Sequence, residues 1–89
     1  MTTKIPLQNE KLFSKIKVIS NRFRFKILEL TQKDSLNISK LGSVLNLAYT
    51  KCADYVSILE KEELVGKTKE GKEVLVKSKV KIKGGQVIF

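Results

Sequence analysis

The chain has 89 residues and a formal net charge of +9, with 18 Lys and Arg against nine Asp and Glu. This length supports one domain with a modest core, and chains of this size often gain stability by dimerising. With no His and a single Cys, the composition excludes a Ser–His or Cys–His catalytic pair and an intrachain disulfide.

The N-terminal third is predicted to contain an arm and a first helix. Residues 1–8 are expected to form a flexible arm, because Pro6 discourages helix before it and chain ends fray. A helix should begin near Asn9, which is a suitable N-cap. Its apolar residues recur at helical spacing: Leu12, Phe13, Ile16 and Ile19.

A second amphipathic run covers residues 20–32. Ser20 and Asn21 cap helices better than they continue them, which favours two helices over one long helix. Phe25 lies off the apolar stripe, so it either packs against a second copy of the chain or is buried within its own domain. Four residues are candidates for such a dimer contact: Leu12, Phe13, Ile16 and Phe25.

Residues 36–63 are predicted to form two short helices joined by a tight turn. Asn46 stands where the chain must reverse, and Asn tolerates left-handed backbone. Gly42 inside the first helix indicates a close helix crossing, and either Ser35 or Asn37 can cap that helix. The apolar residues recur every three or four positions: Ile38, Leu41, Val44 and Leu45, then Cys52, Val56 and Leu59.

The apolar period changes to two after this helix pair, which predicts a hairpin over residues 64–83. One strand covers Leu64 to Thr68, and the other continues from Val74 through Ile82. Gly71 provides the positive φ that the turn needs. Residues 84–89 are predicted to turn at Gly84–Gly85 and return as a tail strand.

Positive charge lies on both sides of the helix pair rather than on it. Residues 1–33 hold eight basic and two acidic residues (+6), residues 34–63 three and five (−2), and residues 64–89 seven and two (+5). This distribution favours a polyanionic partner such as nucleic acid, because neutralised phosphates release counterions. Lysines that serve only solubility are the alternative.

The helix pair resembles the helix-turn-helix of ArsR-type and MarR-type winged-helix transcription regulators. The resemblance covers roughly residues 20–80. It rests on Ile38-Ser39-Lys40-Leu41, on Leu47 in the turn, and on Cys52, Val56 and Leu59. The string from Asn21 to Leu28 looks like the arginine-bearing first helix of ArsR-type members. Glu63-Leu64-Val65 replaces their usual Gly-Leu-Val, which places Glu63 where Gly normally adopts a left-handed conformation.

The resemblance implies an α+β fold of the winged helix-turn-helix class, with three to four helices and a C-terminal β-hairpin wing, in one domain over residues 1–89. It also implies that the second helix, from about residue 48 to 62, enters a DNA major groove. The candidate DNA contacts are Tyr49, Thr50, Lys51, Asp54 and Ser57 on this helix, Lys67, Lys69 and Lys72 on the wing, and Arg22 and Lys40 on the earlier helices.

The expected function is sequence-specific binding of double-stranded DNA by a homodimeric transcription regulator. A sequence-indifferent architectural DNA-binding protein is one alternative, which Asp54 and the low charge of the helix pair favour. A winged-helix protein-interaction module is the other. In that case the lysines would only solubilise the protein or protect an edge strand from aggregation.

Several other roles are not expected. The five glycines form no phosphate-loop pattern, so neither an enzyme nor a bound cofactor is predicted. Metal sensing needs several thiolates or imidazoles, and only Cys52 is available. No apolar run approaches about 18 residues, and the first residues lack the apolar stretch of a signal peptide. The prediction is therefore a cytoplasmic, nucleoid-associated protein with no membrane or metal partner.

Overall fold

Four helices are followed by two β-hairpins in the computed structural model, which describes residues 7–89 and the side chains of residues 10–89. The helices are α1 (Leu7–Ile19), α2 (Arg22–Leu30), α3 (Ile38–Leu45) and α4 (Tyr49–Lys61). The strands are β1 (Leu36–Asn37), β2 (Val65–Glu70), β3 (Glu73–Ser78), β4 (Lys81–Lys83) and β5 (Gln86–Ile88). The predicted α+β class is confirmed.

Helix α1 begins earlier than the sequence predicted. Leu7 and Gln8 are helical, so Asn9 lies inside the helix and is not its N-cap. Proline restricts the residue before it more than those after it, so Pro6 does not prevent a helix from beginning at Leu7. The rest of the predicted arm, residues 1–6, lies outside the described residues.

The predicted break between the first two helices is present at Ser20–Asn21. The side-chain Oδ1 of Asn21 accepts from the backbone N–H groups of Phe23 at 2.9 Å and Arg24 at 3.1 Å. These bonds satisfy two N–H groups that the first turn of α2 would otherwise leave unpaired. Asn21 therefore begins a new helix whose axis need not follow that of α1.

The turn between α3 and α4 depends on Asn46 and Gly42. Asn46 is left-handed, with φ 58° and ψ 46°. The Leu47 N–H donates to the Gly42 carbonyl at 2.8 Å, and a Cβ on Gly42 would lie only 2.9 Å from the Leu47 carbonyl oxygen. At the other end of α3 the N-cap is Asn37, not Ser35, and its Oδ1 accepts from the Lys40 N–H.

A short strand that the sequence did not predict joins the hairpin to the helices. The alternating sequence pattern predicted strands only from residue 64 onward. In the structure β1 pairs antiparallel with β3, with Leu36 opposite Val76, which gives a three-stranded sheet of order β1-β3-β2. This pairing fixes the hairpin against the beginning of α3.

The strand after the turn is shorter than predicted, because β3 ends at Ser78 instead of continuing through Ile82. Gln32, at the end of α2, binds the chain on both sides of this bend. Its Nε2 lies 2.9 Å from Ser78 Oγ and 2.9 Å from the Val80 carbonyl, and its Oε1 accepts from the Ile82 N–H at 3.1 Å. Strands β4 and β5 therefore form a separate two-stranded sheet.

One apolar cluster connects α2, α3, α4, β2 and β3, while α1, β1 and the β4–β5 hairpin pack against its edge through partly buried residues. It is formed by Ile27, Leu28, Ile38, Leu41, Cys52, Val56, Leu59, Leu64, Val65, Val76 and Val80. Burial raises the pKa of the Cys52 thiol, so Cys52 stays protonated near neutral pH and acts as a small apolar residue. None of the helices within residues 7–89 is long and apolar enough to cross a membrane.

Glu63 occupies the left-handed position that the sequence indicated, with φ 59°. We expect Glu63→Gly to raise the free energy of unfolding by about 0.5–1 kcal/mol, since the steric cost of left-handed backbone exceeds the extra entropy of glycine in the unfolded chain. Urea denaturation would measure this. Lys61→Gly, within helical backbone of α4, should instead lose about 1 kcal/mol. A destabilising Glu63→Gly would refute the backbone-strain argument.

Candidate nucleic-acid interface

Helix α4 has one buried face and one exposed face. Cys52, Val56 and Leu59 are fully buried, which fixes the rotation of the helix about its axis. The residues predicted to contact DNA lie on its other faces, where Tyr49 is 53 % exposed. Those exposed residues are Tyr49, Thr50, Lys51, Asp54 and Ser57. They are accessible to a large ligand, and their contact with DNA stays a prediction.

The beginning of α4 has backbone N–H groups available for a ligand. Ala48 is the N-cap and, within the described chain, no side chain accepts a hydrogen bond there. The first N–H groups of a helix otherwise bind water, a capping side chain or an anion. Together with the positive end of the helix dipole, they form a suitable site for a backbone phosphate.

Two of the three predicted wing lysines are at the tip of the β2–β3 hairpin. Glu70 and Glu73 form its last pair, and Gly71 turns the chain with φ 62°. Lys69 and Lys72 flank this turn and are exposed.

Lys67, the third predicted wing lysine, is on the hairpin but away from its tip. It lies opposite Val76, nearer the base of the hairpin, and its Nζ is 3.1 Å from Glu60 Oε1 at the end of α4. Strand alternation places Lys67 on the same face of β2 as the buried Val65, which is the face toward α4. Because the pair is partly exposed, it adds at most about 1 kcal/mol to stability.

The two predicted contacts on the earlier helices both lie at helix beginnings. Arg22 is the first residue of α2, Lys40 is in the first turn of α3, and both side chains are exposed. The Asn21 and Asn37 caps already accept from backbone N–H groups at these helix beginnings, so each cationic side chain would attract an anion mainly through its own charge. Their role in DNA binding also stays a prediction.

A cluster of aromatic and cationic side chains between α2 and α4 was not predicted. Tyr55 stacks on Phe23 with ring centroids 5.7 Å apart. The Lys51 Nζ lies 5.2 Å from the Tyr55 ring centroid, and the Arg24 Cζ lies 5.7 Å from it. The four-residue spacing of Lys51 and Tyr55 was the only sequence signal, since α2 lies about 30 residues away along the chain.

Helix α1 presents an exposed apolar strip, formed by Leu12, Phe13 and Ile16, which are 40 %, 63 % and 42 % exposed. Phe25, the fourth residue predicted for a dimer contact, is half-buried. Its exposure therefore does not decide between burial in its own domain and contact with a second copy. The opposite side of α1 is held to the end of α4, where Ser14 Oγ donates to Glu62 Oε2 at 3.1 Å and the Lys15 ammonium donates to the Glu62 carbonyl. The strip therefore points away from the domain.

No group of three or more His, Cys, Asp or Glu side chains within the described part of the chain could hold a metal ion.

Three features together define a winged helix-turn-helix domain. They are the helix pair with its tight turn, the β2–β3 hairpin directly after α4, and strand β1, which pairs with that hairpin. Neither a family model nor a curated protein matches the chain. Solved structures do. HlyU from Vibrio cholerae superposes with a TM-score of 0.79 and 23 % sequence identity, covering 83 % of this chain and 80 % of that one.

Two further structures show the same likeness. An ArsR-like transcriptional regulator from Rhodococcus has a TM-score of 0.71 and 22 % identity, covering 80 % of this chain and 67 % of its own. The homodimeric winged helix-turn-helix DNA-binding domain of a Mycobacterium bovis protein has a TM-score of 0.75 and 16 % identity, covering 88 % and 75 %. These likenesses confirm the fold that the sequence resemblance implied.

Proposed function

We propose that this protein is a homodimeric transcription regulator that binds double-stranded DNA in a sequence-specific way. The observation that carries the proposal is α4, whose exposed polar residues begin at an uncapped N-terminus while its other face is fully buried. A helix presented in this way by a winged-helix fold fits the width of the DNA major groove.

Within this proposal the polar residues of α4 read base edges. The hydroxyl groups of Thr50, Ser57 and Tyr49 can donate to or accept from base edges or phosphates. The Asp54 carboxylate would be repelled by phosphates, so its favourable partner is the amino group of a cytosine. This arrangement predicts that the preferred sequence contains a C·G pair opposite the middle of α4.

The hairpin and the helix beginnings would supply affinity that does not depend on sequence. Lys69 and Lys72 are placed to bind phosphates or enter an adjacent minor groove. Arg22 and Lys40 would bind the backbone on the other side of α4. Since the whole chain carries +9, counterion release should make binding strongly dependent on salt.

The apolar strip on α1 supports assembly of two copies, in which each α4 would read one half-site about 10 base pairs from the other. The homodimeric state of the Mycobacterium bovis domain supports this part of the proposal. A role in regulation is supported by the Rhodococcus neighbour. Such a protein would act in the cytoplasm on the nucleoid.

Selection from a randomised duplex pool, followed by sequencing of the bound fraction, tests the proposal. We expect enrichment of an inverted repeat, bound at least ~10³-fold more tightly than unrelated duplex. A smaller preference would instead favour the architectural alternative. Failure to retain any duplex at moderate salt would favour a protein-interaction module.

Two substitutions should separate backbone contacts from base contacts. Lys69→Ala is expected to weaken binding to selected and unrelated duplexes equally, with a salt slope lower by about 1. Thr50→Ala should lose about 1–3 kcal/mol on the selected duplex alone and leave the salt slope unchanged. Fluorescence anisotropy across a salt series measures both quantities. Equal losses from the two variants on both duplexes would contradict this division of roles.

A further inference from the structure

Two cations lie beside one aromatic ring where α2 meets α4. Lys51 and Arg24 both lie within 6 Å of the Tyr55 ring centroid. The ion pairs formed among residues 10–89 are Lys26–Glu29 and Lys67–Glu60, so neither Lys51 nor Arg24 has a carboxylate partner there. The face of the ring attracts both cations, and an anion bound beside it would be attracted by both charges.

The cluster holds its cations in place before any ligand arrives. Arg24 donates from Nε to the Val18 carbonyl at 2.6 Å, which leaves the terminal guanidinium N–H groups free for a second partner. Phe23 stacks on Tyr55 and limits the positions that its ring can take. An arginine held through one nitrogen and open at the others is well suited to a two-point hydrogen bond with a phosphate.

Lys51 connects this cluster to the exposed face of α4. It is next to Thr50 in sequence and one helical turn before Tyr55, on the side of α4 that faces α2. A DNA strand bordering the groove that α4 enters would pass this side of the helix, and most protein–DNA hydrogen bonds are made to the phosphates and sugars of such a strand.

We propose that Arg24 and Lys51, positioned by Tyr55, bind one backbone phosphate of the DNA and set the depth and rotation of α4 in the groove. The inference rests on the proposed function. It assigns Lys51 to the DNA backbone, whereas the sequence analysis named it only as a candidate DNA contact. It also adds Arg24 as a binding residue and Tyr55 as a positioning residue.

Anisotropy titrations of wild type, Arg24→Gln, Lys51→Gln and the double variant with one selected and one unrelated duplex test this site. Each single variant should bind both duplexes roughly 10- to 100-fold more weakly. The double variant should lose less than the product of the two single losses, because both cations hold the same phosphate. Its salt slope should be lower by about 0.9, since that phosphate is no longer neutralised. Arg24→Lys, which keeps the charge, should recover most of the affinity that Arg24→Gln loses.

Matched variants separate the loss of this site from a general loss of positive charge and from a failure to fold. Lys61→Gln removes the same charge from the exposed last turn of α4 and should keep the wild-type slope. Tyr55→Phe keeps the ring and should bind within about threefold of wild type, whereas Tyr55→Leu should behave like Lys51→Gln. Thermal melts monitored by circular dichroism identify any variant that fails to fold.

Three results would overturn the site in distinguishable ways. If wild type binds duplex but Arg24→Gln and Lys51→Gln match Lys61→Gln, the cluster is only structural and the proposed function stands. If wild type binds no duplex at all, both the function and the site are wrong. Fully multiplicative losses in the double variant would show that the two cations bind different phosphates.

Discussion

Gly42→Ala is expected to lower the free energy of unfolding by about 1–3 kcal/mol, although alanine is the better helix former by about 1 kcal/mol. The added Cβ would lie 2.9 Å from the Leu47 carbonyl oxygen. That oxygen belongs to the backbone of a tight turn, and the Leu47 N–H is bonded to Gly42 itself. The clash can therefore be relieved only by moving α4 relative to α3. Urea denaturation of the two proteins measures the difference.

Ser43→Ala is the matched control, because Ser43 is exposed on the same helix turn and the substitution has no clash to relieve. It should stay within about 0.5 kcal/mol of wild type. The geometry also predicts a functional consequence, since a displaced α4 would no longer present its polar face in register with the hairpin. If Gly42→Ala proves as stable as Ser43→Ala, the helix crossing is looser than the structure indicates.

Local chemistry explains why the helix-turn-helix could be predicted from the sequence. Asn46 adopts the left-handed backbone that its residue type tolerates. The spacing of Cys52, Val56 and Leu59 decided which face of α4 is buried. Asn21 was recognised as a helix boundary because its side chain competes with continued helix. Each of these signals depends on residues within about one helical turn, which is the range over which sequence patterns act.

Two features that sequence reasoning missed depend on distant residues. Strand β1 has two residues, too few for an alternating pattern, and exists only because β3 pairs with it. The bend after Ser78 is stabilised by Gln32, which lies 46 residues earlier in the chain. Strict alternation from Val74 to Ile82 is compatible with one strand or two. The sequence pattern cannot show that Gln32, so far away in the chain, binds the bend between them.

The same distinction applies to the candidate interface. The exposed residues of α4 follow from its period of 3.6, so they could be predicted individually. The side chains that Lys67 and Lys51 contact could not be predicted from the sequence. Lys67 turns to Glu60 across the hairpin base, and Lys51 lies over a ring that also contacts α2. The charge composition predicted an anionic partner. Only the fold shows which cationic side chains pair with a carboxylate and which lie together beside an aromatic ring.

Phe13→Glu is expected to convert the proposed homodimer into a monomer that still folds. Phe13 is 63 % exposed, so the monomer loses little packing. The new carboxylate would lie one turn before Lys17, whose Nζ is 5.7 Å from the present ring, in the favourable order for an i,i+4 pair. In a dimer that buries the α1 strip, the same carboxylate would be desolvated between apolar residues. Sedimentation equilibrium should show the change in mass.

Binding to DNA adds a second measurement that distinguishes loss of assembly from loss of the site. Affinity for a duplex with two half-sites should fall at least ~100-fold, since the second half-site is no longer held at high effective concentration. Affinity for a single half-site should change less than threefold. The control is Lys11→Gln, at an exposed position of the same helix, which lowers the net charge by one as Phe13→Glu does. This variant should remain dimeric. A dimeric Phe13→Glu would show that the two copies meet elsewhere, and a monomeric wild type would end the assignment of the strip to self-association.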